Sequence, residues 1–177
     1  MRILIDINPL AAHRTGIGNY IFHLTEALLR LDQRNRYLLY GPDVAADPFP
    51  QLQKRLYIRF AFRNRGFLEY LARRGEGPLL PGRPHLYHLP YPAIPFRHRG
   101  RLVVTVHDLA FLYFPEFVSN REFMRHLVRS VSEQVRAADH LLADSCSTAR
   151  DIQRVFGVPA ERITVVYPGF DRETFQP

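Results

Sequence analysis

Three short stretches hold the residues whose types and spacing could do chemistry. The first is Thr105-Val-His-Asp-Leu109. It ends an apolar, largely β-branched run, Leu102 to Val106, which is the pattern of a strand covered on both faces. His107 and Asp108 follow at the carboxyl end of that strand. In open α/β sheets ligands lie outside the carboxyl ends of the strands, so both side chains stand where a ligand would lie. The competing reading makes Asp108 a turn cap and His107 a loop residue.

The second stretch is Gly16-Ile-Gly18, just before a helical pattern. Glycines let backbone N–H groups approach an anion, and a helix start adds partial positive charge. A dinucleotide fingerprint would need a third glycine where Ile21 stands. It would also follow the first strand directly, whereas Asn8 to Thr15 intervene. No Gly-Lys-Ser/Thr occurs, which excludes a P-loop. Two readings stand: a glycine loop that admits part of a ligand over the helix start, and a turn with no ligand.

The third stretch is Asp144-Ser-Cys-Ser147. Ser145 reads as a helix-start hydroxyl rather than a nucleophile, since no Gly-x-Ser-x-Gly elbow is present. Cys146 reads as a small buried residue, with a thiol of lowered pKa at a helix start as the alternative. A metal phosphohydrolase built on His107-Asp108 would need further ligands on helices, and His13, His85 and His88 lack metal spacing.

The elements that must position these residues alternate. Arg2 to Ile7 reads as a central first strand, and Leu10 to Gly18 as a loop. A helix follows with Ile17, Tyr20, Ile21, Leu24, Leu28 and Leu31 on one face, ending near Leu31 to Asn35. Tyr37 to Tyr40 is a second strand. Arg55 to Phe60 reads as a strand, Gly66 to Arg74 as a short helix, and Gly75 to Pro84 as a loop. His85 to Leu89 is another strand, and Phe111 to Pro115 an aromatic loop. Ser119-Asn-Arg-Glu122 is a capping box, with Ser119 as the cap. Its helix carries Met124, Leu127, Val128, Val131, Val135 and Ala138 on one face. His140 to Ala143 is a strand; a helix with Ala149, Ile152 and Val155 follows, with Gly157 at its carboxyl cap. Ile163 to Val166 is the last strand. The alternation predicts an α/β fold: one Rossmann-like domain over 1–177, a parallel sheet with helices on both faces.

The sequence of 177 residues, 46% hydrophobic and 12% aromatic, is long and apolar enough for one cored domain. With a single cysteine it forms no internal disulfide, and a reducing cytoplasm fits. Ile3-Leu-Ile5 meets Asp6 at once, too short for a signal peptide, and no run suits a transmembrane helix. The net charge of +7 is carried almost wholly by arginine, since Lys54 is the only lysine. That balance suits an anionic partner such as nucleic acid, a phosphate-bearing substrate or a lipid headgroup, the alternative being a compositional bias of the source genome. No zinc-finger spacing or RNA-binding aromatic signature accompanies it, so nucleic acid is not expected.

Five segments in order resemble one family. They are the opening strand with Thr15-Gly-Ile-Gly-Asn-Tyr20, then His85-Leu-Tyr-His-Leu-Pro90, and then Thr105-Val-His-Asp-Leu-Ala-Phe111 with Pro115 after it. Ala143-Asp-Ser-Cys-Ser-Thr-Ala-Arg-Asp-Ile152 and Gly157 to Asp171 complete the set. Over nearly its whole length the chain resembles the amino-terminal, acceptor-side domain of a GT-B retaining glycosyltransferase of family GT4. The resemblance implies transfer of a mannose-like sugar from a nucleotide-sugar donor to a glycan or lipid-linked acceptor. It implies no metal and no cofactor, with the donor as co-substrate. Gly16 and Gly18, with Asn19 beside them, would lie by the donor diphosphate. His107 would be catalytic, hydrogen-bonding a hydroxyl of the transferred sugar or stabilising the oxocarbenium-like transition state. Asp108 would hold the loop, and Ser145 would line the cleft.

The family's donor-binding carboxyl-terminal domain, with its Glu-x7-Glu motif, is expected to be missing after Pro177. The isolated chain is therefore expected to be inactive. A cytoplasmic site is implied, with peripheral contact to the inner, anionic face of the membrane. A stand-alone nucleotide or sugar-phosphate binding module is the alternative.

Overall fold

The computed structural model describes residues 1–11, 15–41, 48–49, 83–91, 99–118 and 120–170. The expected strand at Arg55 to Phe60 and helix at Gly66 to Arg74 lie outside them. Six strands form one sheet: β1 (Arg2–Asp6), β2 (Arg36–Tyr40), β3 (Leu86–Leu89), β4 (Arg101–Val106), β5 (His140–Ala143) and β6 (Ile163–Val165). The order is β2-β1-β3-β4-β5-β6, and every pairing is parallel. The chain builds outward from β1 in two directions, so strand order switches between β1 and β3. In such sheets that is where a crevice opens at the carboxyl ends.

Side chains alternate between the two faces of a strand, and the core divides accordingly. Leu4, Leu38, Tyr87, Leu89, Leu102, Val104, Val106, Leu141 and Ala143 form one face. It is covered by α3 (Arg121–Ala137) through Val131 and Val135, and by α4 (Cys146–Phe156) through Ala149 and Ile152. Ile5, Ile7, Tyr37 and Leu39 point the other way, onto α1 (Gly16–Leu31) through Ile21 and Leu29. These clusters are the expected two-sided Rossmann-like arrangement.

Several local expectations change. The helix α1 starts at Gly16, not after Gly18, because Thr15 already caps it by accepting from the Gly18 N–H at 3.5 Å. Its buried stripe is Gly18, Ile21, Thr25 and Leu29, while Ile17 and Leu31 are exposed. Residues Asn8–Ala11, expected as loop, form a turn of 3-10 helix. So does Pro115–Phe117, and Ala110–Tyr113 is a one-turn helix, α2. The expected cap Ser119 lies outside the described residues; Asn120 caps α3, accepting from the N–H groups of Glu122 and Phe123 at 2.9 and 3.0 Å. Gly157 ends α4 in the left-handed region at φ 66°, a conformation glycine adopts without steric cost. Among the described residues no helix is long and apolar enough to cross a membrane.

Candidate active site

Register puts the chemistry in one place. Val106 pairs with Ala143, so the next residues, His107 and Asp144, emerge side by side at the carboxyl edge. His107 Nδ1 lies 2.7 Å from Asp144 Oδ2, and His107 Nε2 lies 2.8 Å from the Pro90 carbonyl oxygen. One imidazole thus joins the ends of β3, β4 and β5. Tyr20 of α1 packs edge-on against it, ring centroids 4.9 Å apart and planes at 84°. Tyr20 stands one turn after Gly16, so this contact sets the amino-terminal turn of α1 beside His107.

Burial alone would lower the His107 pKa. The Asp144 hydrogen bond and charge, the Pro90 carbonyl and Asp108 outweigh it, and the net shift is upward. His88 behaves oppositely. It is 6% exposed in β3, and burial first, then the His107 charge, pushes its pKa down to about 4. Neutral His88 meets Thr105 Oγ1 at 3.0 Å. The Tyr20 phenol has its pKa raised chiefly by burial and stays protonated. The second layer is therefore neutral and hydrogen-bonded behind a charged front.

The other expected site residues fall around this centre. Asp108 is exposed, and its Oδ1 accepts from the Ala110 N–H at 2.9 Å, which ties the turn into α2. Ser145 caps α4, its Oγ accepting from the Thr148 N–H at 3.0 Å. Thr148 Oγ1 then donates to the His107 carbonyl at 3.1 Å, so α4 also braces the histidine's backbone. Gly16 and Asn19 are exposed at the start of α1 and Gly18 is buried. A Cβ at Gly16 would meet nothing within 4 Å, and its φ is not positive. Neither neighbouring atoms nor backbone conformation therefore demands glycine there. Cys146 departs from expectation: it is exposed, because the first position of α4 faces away from the sheet, with Sγ 3.1 Å from the Tyr167 hydroxyl.

Asp144, Tyr20, Thr105 and His88 were not among the expected site residues. The rule that singled out His107 applies equally to Asp144, the first residue after β5. Tyr20 and His88 had no comparable signal, since their roles come from α1 and β3 meeting across the sheet. At the strand switch, Asp6 ends β1 only 2% exposed. It accepts from the Asn8 backbone N–H at 2.9 Å and from Asn8 Nδ2 at 2.7 Å. Tyr91 Oη lies 3.4 Å from both Asp6 oxygens. Among the described residues no three His, Cys, Asp or Glu side chains converge as metal ligands.

His107, Asp144 and the amino-terminal turn of α1 thus meet at the carboxyl edge of the sheet. Comparison with known proteins gives the family. A family model described as Glycosyltransferase Family 4 matches residues 14–174. O-antigen chain mannosyltransferase B of Escherichia coli is 25% identical over 177 residues, covering 92% of this chain and 46% of that protein. The chain thus spans about half the length of this relative. The solved apo structure of lipopolysaccharide outer core galactosyltransferase WaaB superposes with a TM-score of 0.51 at 13% identity, covering 94% of this chain and 45% of that one. At that identity the likeness concerns the fold alone. With the Rossmann-like sheet in place and the family model spanning nearly the whole sequence, the chain belongs to glycosyltransferase family 4.

Proposed function

We propose that this chain is the acceptor-side half of a retaining, metal-independent transferase. It would act with a donor-binding domain to move a mannose-like sugar from a nucleotide-sugar onto a glycan or lipid-linked acceptor in the cytoplasm. One observation carries this reading: the amino-terminal turn of α1, where a Cβ at Gly16 would meet nothing within 4 Å, stands beside His107, whose pKa is raised by the Asp144 hydrogen bond and charge. As the sugar–phosphate bond breaks, negative charge builds on the departing diphosphate. A helix amino terminus and an imidazolium both offset that charge, more strongly as water is excluded. Gly16, Gly18 and Asn19 would face the diphosphate, and Asp108 and Ser145 would hold the loops that shape the cleft.

Phe114, Phe117 and Phe123, exposed at 51%, 81% and 56%, share one stretch of sequence with exposed Arg121 and Arg125. That combination supports peripheral contact with an anionic membrane, the source of a lipid-linked acceptor.

The test is Gly16→Val in the complete enzyme, assayed with nucleotide-activated mannose and galactose. The added side chain has room in the fold, so melting should shift little while transfer falls at least tenfold. Transfer at the wild-type rate would overturn the assignment of the α1 turn to the diphosphate. The 177-residue chain alone should transfer no sugar, and tight nucleotide binding by it alone would favour the binding-module alternative.

A further inference from the structure

Both ring nitrogens of His107 are occupied within the protein. Nδ1 faces the Asp144 carboxylate at 2.7 Å and Nε2 the Pro90 carbonyl at 2.8 Å. Each partner can only accept, so both contacts are hydrogen bonds only when each nitrogen carries a proton. The ring is then an imidazolium with no N–H left for a sugar hydroxyl. What it offers a reacting group in this arrangement is charge. A fixed cation would repel an oxocarbenium-like sugar and attract the departing diphosphate.

Asp144 is the ionisable one of the two partners. Its Oδ1 is buried without a hydrogen-bond partner among the described residues. The two side chains are 16% and 19% exposed, so water screens the pair little. Loss of the His107 proton would leave a largely buried carboxylate with no cation in contact among the described residues.

We propose that Asp144 is a positioning residue of the transfer reaction, keeping His107 doubly protonated and fixed across the ends of β3, β4 and β5. The imidazolium then acts on the departing group as a stationary positive charge. This rests on the transferase reading above. Asp144 and, more weakly, Asp108 favour the charge, as does the Pro90 carbonyl. Neutral His88 faces it from β3 and is itself held deprotonated by burial and by this charge. The uncharged Tyr20 ring faces it from α1. The Thr148 hydroxyl of α4 binds its backbone rather than its ring.

Two measurements separate the pair from the reaction. The first is histidine nitrogen NMR on the 177-residue chain, which needs no substrate. Both His107 nitrogens should be protonated at neutral pH, with a titration midpoint above that of a free histidine. In Asp144→Asn the midpoint should fall by at least one pH unit, because burial remains and the carboxylate is gone. A wild-type midpoint at or below the free value, or no shift in the variant, would overturn the proposal. Should Asp144→Asn not fold, Asp144→Glu should show a smaller fall of the same sign, and an unchanged midpoint there would overturn it equally.

The second is transfer by the complete enzyme against pH. Asp144→Asn should lower kcat about tenfold at pH 8 and less at pH 6, with KM changed little, and Asp144→Glu should restore most of it. A merely structural loss would lower the rate evenly across pH, and that result would overturn the positioning role. An inactive wild-type enzyme would overturn the transferase reading and the positioning role with it, while the NMR still decides whether the pair holds the proton.

Discussion

Acid should loosen this fold through His88 well before its carboxylates titrate. The side chain is buried in β3 against Thr105 and stays neutral, its pKa pushed down to about 4 from an ordinary value near 6.5. The unfolded chain binds a proton there from pH 6.5 downward, whereas the folded chain resists until about pH 4. The stability due to neutral His88 is therefore complete above pH 6.5 and lost as pH falls toward 4. A difference of ~2.5 pKa units corresponds to about 3 kcal/mol in total, of which about 2 kcal/mol is lost between pH 7 and pH 5.

His107 runs the other way. Its pKa is raised, so its contribution is complete below pH 6.5 and fades as pH rises through its folded value. Asp32 is held well below the usual carboxylate range, first by the Tyr37 hydroxyl and then by Asn35 and the Arg34 backbone. Its contribution is lost only at more acid pH, outside this window. The assay is urea unfolding of wild type and His88→Gln at pH 7, 6 and 5. Glutamine can still hydrogen-bond Thr105 but does not titrate. The wild type should lose about 2 kcal/mol more than the variant between pH 7 and pH 5. Equal losses in the two proteins would refute the assignment of this acid sensitivity to His88.

Two further outcomes follow from the backbone. A Cβ at Gly100 would lie 2.4 Å from the His85 carbonyl oxygen and 2.6 Å from its carbon, where β3 and β4 begin. Gly100→Ala should therefore cost about 3 kcal/mol in urea unfolding, since backbone rather than a flexible side chain must yield. Asn120→Ala removes both N-cap hydrogen bonds of α3 and should lower stability by about 1 kcal/mol on thermal melting, whereas Asn120→Ser should recover most of it.

Much of the frame was legible along the chain. Runs such as Leu102 to Val106 and His140 to Ala143 are short, apolar and bounded by polar residues, and each became a strand within a residue of its expected ends. Ser145 and Gly157 mark the ends of α4 through local backbone chemistry, so they needed no tertiary context. Errors arose where a choice depended on what lay across the sheet. The apolar face drawn through Ile17 and Leu31 maximised local hydrophobicity. The observed buried stripe runs through Gly18, Ile21, Thr25 and Leu29 instead. Likewise Cys146 looked like core by composition and is exposed by the direction its helix leaves β5.

The site divides along the same line. His107, Asp108, Ser145 and the glycines of α1 stand out along the chain as candidates because each sits at the end of a locally encoded element, and the family resemblance rests on those same short motifs. The Asp144 carboxylate on one His107 nitrogen, the Pro90 carbonyl on the other, and the Tyr20 and His88 layer around them come from segments spread along the chain from Tyr20 to Asp144. Residue order carries no record of which nitrogen meets which oxygen. Strand register and helix placement decide that, and with it whether a histidine at a strand end is a neutral donor or a fixed charge.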